Sequence, residues 1–561
     1  MWQHNYEPVG GSLALSALVS ATPIVVLFLL LGVWRKPAWV AALGGLGSAL
    51  VVALAAYGMP AQLAVTSTLY GAAYGLFPIG WIVFSSIMLY RLAVETGKFE
   101  IIKDSVGRLT DDRRLQAILI AFSFGAFIEG AAGFGAPVAV SGAMLAGLGF
   151  DPFFAAGICL LANTAPVAFG SIGIPVITLA NITGLPVLAL SAMIGRLCAV
   201  ISVIIPGYLI VVMAGGRRAL DVLPAIVACG LSFAGMQFFV SNFIGPELTD
   251  ILSSLTCIVV MVAVLKLWRP KTIMRFEGEH PATVTLKHHS GREVFTAWLP
   301  YLLLVAFVLA WGQPAVKAAL DAWTNGLLPS WLPKAASGLN GLNVPGLHNL
   351  IGRVPPVTPA AAPYAAVFAF NWLSASGTAC FLAAVASAVV LRVKPSTFVG
   401  VYKATFKQLS LALLTIASML GLAYLMNYSG MTSTLGLALA TSGAAFPFFS
   451  AVVGWLGVFL TGSDTSANAL FGNLQVVTAT ALHLNPVLTA SVNSAAGVLG
   501  KMISVQSIAV AVAATGMTSA DESRLFRFTI KHSIFLMAMM GLMAMLYAYV
   551  IPGYVPIAPL R

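Results

Sequence analysis

GAFIEGAAGFGAP, residues 125–137, sets one carboxylate, Glu129, among four glycines and a proline. Its flanks, AILIAFSF (117–124) and VAVSGAMLAGLGF (138–150), carry no charge. In water a loop accommodates such a string at little cost. Between two apolar runs it predicts a helix broken inside a membrane, with an ionisable group at the break. Regular helix satisfies its own backbone in lipid, whereas broken helix is tolerated only beside protein or a water-filled cavity.

Composition supports that setting. Of 561 residues 59% are hydrophobic and 8% charged, with mean hydropathy +0.94, against roughly 25% charge in soluble domains. Apolar stretches long enough to cross about 30 Å of hydrocarbon as helix recur, at 12–33, 38–57, 187–213, 222–241, 408–426 and 534–552. The net charge of +11 fits basic cytoplasmic loops rather than nucleic acid, because no aromatic residues interleave with basic patches. The cysteines at 159, 198, 229, 257 and 380 lie in or beside apolar runs without metal-ligand spacing, which predicts buried thiols. MWQHNYEPVGG lacks a basic signal-peptide start, so the first apolar run is expected to be a retained transmembrane helix.

Charge placement orients the chain. No Lys or Arg precedes Arg35, and basic groups then cluster at 91–114, 217–218, 266–271, 392–407 and 524–531. Putting these inside leaves both termini on the outer side of the membrane. The polar segment 271–296 is then a cytoplasmic loop between two halves, 1–270 and 297–561, and the Pro/Gly-rich stretch 312–363 is an outer loop with short helices. About 12–14 crossings are expected.

A faint repeat links the halves. MLYRLAVETG (88–97) resembles LAYLMNYSG (422–430), GAFIEG (125–130) resembles GVFLTG (457–462), and NTAPVAFGSIGIP (163–175) resembles NSAAGVLGKMISV (493–505). The charge pattern turns the first pair in opposite directions. Antiparallel repeats with discontinuous helices are a signature of secondary transporters that bind substrate near the bilayer midplane. The fold class is therefore an all-α polytopic membrane protein with inverted repeats and discontinuous or re-entrant helices. Convergent small-residue patterning for close helix packing is the alternative.

The interruptions nominate the site. Gly130, Gly133, Gly135, Pro137, Pro166, Pro175, Gly462 and Gly500 are the candidate hinge or break residues. Free N–H groups at the resulting helix starts favour an anion. Ionisable groups at membrane depth are functional candidates by default. Glu129 and Asp464 occupy matched interruptions and are the candidate proton-coupling groups, Glu129 first because its neighbours are drier. Lys501 suits a substrate carboxylate as a point charge. Asn163, Thr164, Ser463, Asn468, Asn493 and Gln506 supply hydrogen bonds. For Lys501 and Arg196 a structural ion pair is the competing reading. Asn181-Ile-Thr183 fits a glycosylation pattern common by chance, GVLGK (497–501) lacks phosphate-loop spacing, and His288 and His289 read as exposed. Glu247 and Asp250, in the turn 241–254, are expected to shape a vestibule or face water.

Long strings carry a family resemblance: MWQHNYEP, GAFIEGAAGFGAPVA, NTAPVAFGSIGIP, SNFIGPELTD, GWLGVFLTGSDTSANALF (454–471) and GKMISVQSIAV (500–510). On these the chain resembles the bacterial lactate permease family (L-lactate/glycolate permeases) along essentially its whole length. The resemblance implies proton symport of L-lactate, D-lactate or glycolate across the inner membrane, with lactate or glycolate, protons and the lipid bilayer as partners and with no cofactor, metal or nucleic acid. A sodium-coupled organic-anion carrier, an anion channel and a membrane enzyme remain the alternatives from the residues themselves.

Overall fold

The computed structural model describes residues 1–133, 135–275, 286–327 and 341–557. Parts of the polar segment 271–296, of the stretch 312–363 and of the carboxyl-terminal tail lie outside the described residues. Twelve described helical spans are long and apolar enough to cross a membrane, or thirteen if one bent pair counts as a span.

The helices that position the site are, in chain order, α1 (Leu13–Phe28), α2 (Ala38–Ala55), α3 (Ala61–Tyr74), α4 (Trp81–Glu95), α5 (Arg113–Ala131), α6 (Ala136–Gly147), α7 (Pro152–Ala162), α8 (Gly170–Thr183), α9 (Val187–Ala214), α10 (Leu223–Phe243), α11 (Thr249–Leu267), α12 (Gly291–Gly312), α13 (Ser376–Val390), α14 (Pro395–Ser429), α15 (Phe446–Thr461), α16 (Asp464–Ala481), α17 (Pro486–Lys501), α18 (Val505–Thr515) and α19 (Glu522–Tyr549). The series α4 to α9 recurs as α14 to α19. Local chemistry recurs with it. α5 turns into α6 through Gly133 and Gly135, at φ +62° and +84°, and α15 turns into α16 through Gly462 at +68°. α7 and α17 both start with proline behind a side-chain cap, Asp151 to the Phe153 amide at 3.0 Å and Asn485 to the Val487 amide at 2.9 Å. Both then break, and α7 and the segment leading into α8 meet at a 63° bend.

The repeats are inverted. Arg524, at the start of α19, lies over the Phe153 ring at the start of α7, 4.2 Å from its centroid. Past the other end of α19, the Pro556 carbonyl accepts from Asn485 Nδ2 at 3.2 Å, at the start of α17. Equivalent helices α7 and α17 therefore set out from opposite ends of α19.

Packing across the repeats is reciprocal. α8 packs on α16 as α18 packs on α6, and α9 packs on α17 as α19 packs on α7. α3 lies along α14, and α13 along α4. Glycine permits both of the latter approaches: a Cβ on Gly71 would stand 2.4 Å from the Leu420 carbonyl oxygen, and one on Gly377 would stand 2.9 Å from the Ile82 amide. The halves of the sequence are interlocked rather than side by side.

Several details depart from expectation. Short strands accompany the helix Pro314–Leu327 in the stretch expected to hold helices alone: Gly341–Asn343 pairs with Val367–Ala369, and Ile351–Arg353 pairs with Ala362–Pro363 and with the amino-terminal Trp2–Gln3. Arg114 is no exposed loop residue. It is buried, bidentate to Asp112 (3.1 and 2.8 Å), and also donates to Asp221 and to the Arg218 and Thr272 carbonyls, tying α5 to the turns before α10 and after α11. His289 is only partly exposed and meets Asp104 at 2.7 Å. The cysteines, by contrast, are as expected: all five are buried free thiols.

Candidate functional site

The two turns and the two breaks meet around one cavity of about 240 Å³. Gly135 brings the start of α6 to its wall, Gly170 and Ser171 the irregular opening of α8, Ser463 to Ser466 the start of α16, and Gln506 and Ser507 the start of α18. Four helix beginnings thus face one space, and N–H groups with positive partial charge at such ends attract anions. Local sequence explains the geometry. Ser171, Ile172 and Gly173 have φ of +46°, +61° and +70°, so α8 opens with unwound backbone. Ser171 Oγ donates to the Ala132 carbonyl at 2.9 Å and ties this opening to the α5–α6 turn. The Ser463 and Ser504 hydroxyls cap α16 and α18.

Charge enters the cavity wall as a pair drawn from the two halves of the sequence. Lys501, the last residue of α17, donates from Nζ to Glu129 Oε1 at 3.0 Å. Glu129 belongs to the last turn of α5, and both residues line the cavity. The second Glu129 oxygen has no partner among the described residues. Gly170 makes room for the pair, since a Cβ there would stand 2.5 Å from Glu129 Oε1.

Asp464 lines the same cavity and anchors a polar chain that runs away from it. Ser494 Oγ donates to Asp464 Oδ2 at 2.6 Å, Asn468 Nδ2 to Ser494 Oγ at 3.0 Å and to the Pro175 carbonyl at 3.2 Å, Asn493 Nδ2 to Asn468 Oδ1 at 3.0 Å, and Gln475 Nε2 to Asn493 Oδ1 at 3.1 Å. Asn468 and Asn493 are fully buried in this chain and do not line the cavity. Their geometry is that of a brace between α16, α17 and α8. Asn163 and Thr164 border a tight recess beside Lys501, where the Thr164 hydroxyl is committed to the Leu161 carbonyl at 2.7 Å. Ser463 and Gln506 face the cavity.

The candidate break residues divide similarly. Gly133, Gly135 and Gly462 form the turns, Pro166 lies in the α7–α8 break, and Pro137 opens α6. Pro175 sits in α8 just after the unwound residues. Gly130 and Gly500 lie inside helices instead. A Cβ at Gly130 would stand 2.8 Å from Asp250 Cβ, and one at Gly500 would stand 2.2 Å from the Trp455 carbonyl oxygen, so both serve close packing. Arg196 lies away from the cavity, bonded to Asn242 at 2.9 Å and to the Tyr554 carbonyl.

Thr415 and Ser171, which carry no charge to single them out, also stand on the cavity wall, and Asp250 neither shapes a vestibule nor faces water. Asp250 is 1% exposed, in the first turn of α11. Thr415 gives no signal inside a long apolar run, and at the opening of α8 only Gly173 of the three positive-φ residues is of a type that announces such a conformation.

The L-lactate permease family profile matches residues 16–551. The chain belongs to the L-lactate permease family. Such proteins are membrane transporters rather than enzymes. The permease is 49% identical over 567 residues to the L-lactate permease of Bacillus subtilis strain 168, covering 99% of this chain and 100% of that one. It is 44% identical over 560 residues to the L-lactate permease of Escherichia coli K12, at 99% and 100% coverage, and 44% identical over 566 residues to the glycolate permease of the same strain, at 98% and 99%. Among solved structures, the YdaH transporter of Alcanivorax borkumensis aligns with TM-score 0.42 at 14% identity over 86% of this chain and 87% of that one, and MtrF of Neisseria gonorrhoeae with TM-score 0.45 at 12% identity over 87% and 85%.

Proposed function

We propose that the protein imports L-lactate, and the related D-lactate and glycolate, by proton symport across a bacterial inner membrane. The observation that carries this reading is the Lys501–Glu129 pair on the wall of a cavity ringed by helix starts. One water needs about 10–15 Å³ of such cavity volume, so 240 Å³ leaves room for a six-heavy-atom hydroxy acid with some hydration. The substrate carboxylate competes with Glu129 for Lys501. Once displaced, Glu129 is a buried carboxylate without a counter-charge, which is costly unless it takes up a proton. One anion then travels with one proton. The Ser463 to Ser466 start, Gln506 and Ser171 receive the remaining carboxylate oxygen and the 2-hydroxyl, while Asp464 and its polar chain hold α16 and α17 in place. Asn163 and Thr164 support the wall beside Lys501. The inverted halves, 1–270 and 297–561, exchange access to this central site.

The test is radiolabelled L-lactate uptake into proteoliposomes under separately imposed proton, sodium and electrical gradients. Uphill accumulation driven by a proton gradient alone supports symport. Accumulation that follows sodium instead, or flux without accumulation, overturns it. Orientation is checked separately with Glu100→Cys and Ile557→Cys in a cysteine-free background. Glu100 and Ile557 are both exposed, and labelling by an impermeant thiol reagent should reach Ile557→Cys from the periplasm and Glu100→Cys only from within.

A further inference from the structure

Asp250 is the buried acid that the proposed mechanism leaves unused. It does not line the cavity, and neither of its carboxylate oxygens has a partner among the described residues. An ionised carboxylate so enclosed is very costly, and in practice such a group is neutral. It stands beside Glu129: α5 and α11 approach so closely at Gly130 that a Cβ there would meet Asp250 Cβ at 2.8 Å. Glu129 and Lys501 are the charged groups within its electrostatic reach. From α9 the buried thiol of Cys198 also lies within its electrostatic reach. Three residues earlier, the turn 244–248 carries Glu247, which is partly exposed and accepts from Ser376 Oγ at 3.3 Å. The same turn presses on the unwound start of α8, where a Cβ at Gly173 would stand 2.7 Å from the Pro246 carbonyl.

We propose that Asp250 relays the coupling proton to Glu129 from the turn that carries Glu247, along a path separate from the substrate cavity. The inference rests on the proton-symport reading. When the substrate carboxylate takes Lys501, the Asp250 O–H bond breaks as an O–H bond forms on the unpartnered Glu129 oxygen. The Glu247 O–H bond then breaks as one re-forms on Asp250, and a hydronium ion of the outer solution reprotonates Glu247 and leaves as water. Charge is conserved at each step and no other reactant is needed. Glu247 is the outer station, and the close approach at Gly130 sets Asp250 against the helix that carries Glu129.

A relay sets a rate, whereas the acceptor sets the coupling. In wild-type proteoliposomes, proton-driven L-lactate uptake is measured first; its absence would remove the symport reading and leave Asp250 without a role. With that established, Asp250→Asn should slow proton-driven uptake at least about tenfold while lactate/lactate exchange stays within about twofold. The final accumulation ratio should be unchanged, because the stoichiometry is still fixed at Glu129. Asp250→Glu should restore most of the rate, and it keeps the question open to test if the asparagine variant does not fold. Glu247→Gln should slow uptake less. Wild-type uptake rates in Asp250→Asn would overturn the proposal. So would an equal loss of uptake and exchange, which marks a structural residue, or a lowered accumulation ratio, which would make Asp250 the coupling site itself.

Discussion

Glu129→Gln keeps the shape of the side chain and removes the charge opposite Lys501. The Lys501 side chain is 11% exposed and that of Glu129 is 3% exposed, so water does not replace the lost partner. Leaving one member of a buried pair alone costs about 3–5 kcal/mol, and a bound lactate carboxylate recovers part of it. One charge-assisted hydrogen bond recovered is worth about 1.5–3 kcal/mol, an affinity gain of roughly 10–150-fold. In the wild type the anion must instead displace Glu129, and the displaced carboxylate must bind a proton. Wild-type lactate affinity should therefore rise as pH falls, while that of Glu129→Gln should be high and flat across pH. The variant should melt earlier than wild type without lactate and recover with saturating lactate. Calorimetric titration of purified protein with L-lactate at several pH values reads the affinity, and melting curves read the stability. Proteoliposomes carrying the variant should exchange lactate but not accumulate it under a proton gradient. Weaker lactate binding in Glu129→Gln, matching the loss expected of Lys501→Gln, would refute the competition and make Glu129 a substrate ligand.

Asn493→Ala leaves Asn468 Oδ1 without its donor and one Gln475 Nε2 hydrogen without its acceptor; stability should drop by about 1–3 kcal/mol per unsatisfied group, seen as a lower melting temperature, with lactate affinity in calorimetry changed far less than in Lys501→Gln. Gly462→Ala forces a side chain to φ +68° and sets its Cβ 2.6 Å from Gln506 Oε1; the left-handed conformation alone costs about 1–2 kcal/mol, so the variant should melt lower and, with Gln506 pushed aside, bind lactate more weakly. His4 lies before α1, buried and donating from Nε2 to the Tyr428 carbonyl at 2.9 Å, and burial holds its pKa down from 6.5 to about 4. The unfolded segment takes the proton first, so stability is unaffected above the unfolded pKa, falls as pH drops below 6.5, and levels off near 4 after a loss of about 3 kcal/mol. The protection of the Trp2 and His4 amides, hydrogen exchange taken relative to the intrinsic rate at each pH, should fall over that window in wild type and much less in His4→Gln.

Helix spans, the inverted repeat and the cavity-lining roles of Glu129, Asp464, Lys501, Ser463 and Gln506 follow from apolar length and from where glycine and charge interrupt it. These are local signals, and membrane burial makes them strong. Asn468 and Asn493 show the limit. A polar residue in an interrupted segment has the same appearance whether it faces substrate or braces two helices, because the partner that decides it lies elsewhere in the chain. Asp250 shows the opposite limit. Pro246 and Glu247 beside it read as an exposed turn, and only the close approach at Gly130 reveals that the turn is folded inward. The strands at 341–369 were hidden because three-residue pairings, one completed by the amino terminus, leave no periodicity to read.

The contact between Lys501 and Glu129 joins residues 372 positions apart, which has a consequence for how the chain is made. At roughly 5–20 residues per second of synthesis, the glutamate leaves the ribosome some 20–70 s before its lysine exists. Throughout that interval the nascent hairpin of α5 and α6 carries an acid with no counter-ion, so it either enters the bilayer protonated or waits at its surface. The last helices to emerge then complete the charge balance of the first half, and a chain truncated before residue 501 should leave that hairpin exposed to membrane quality control.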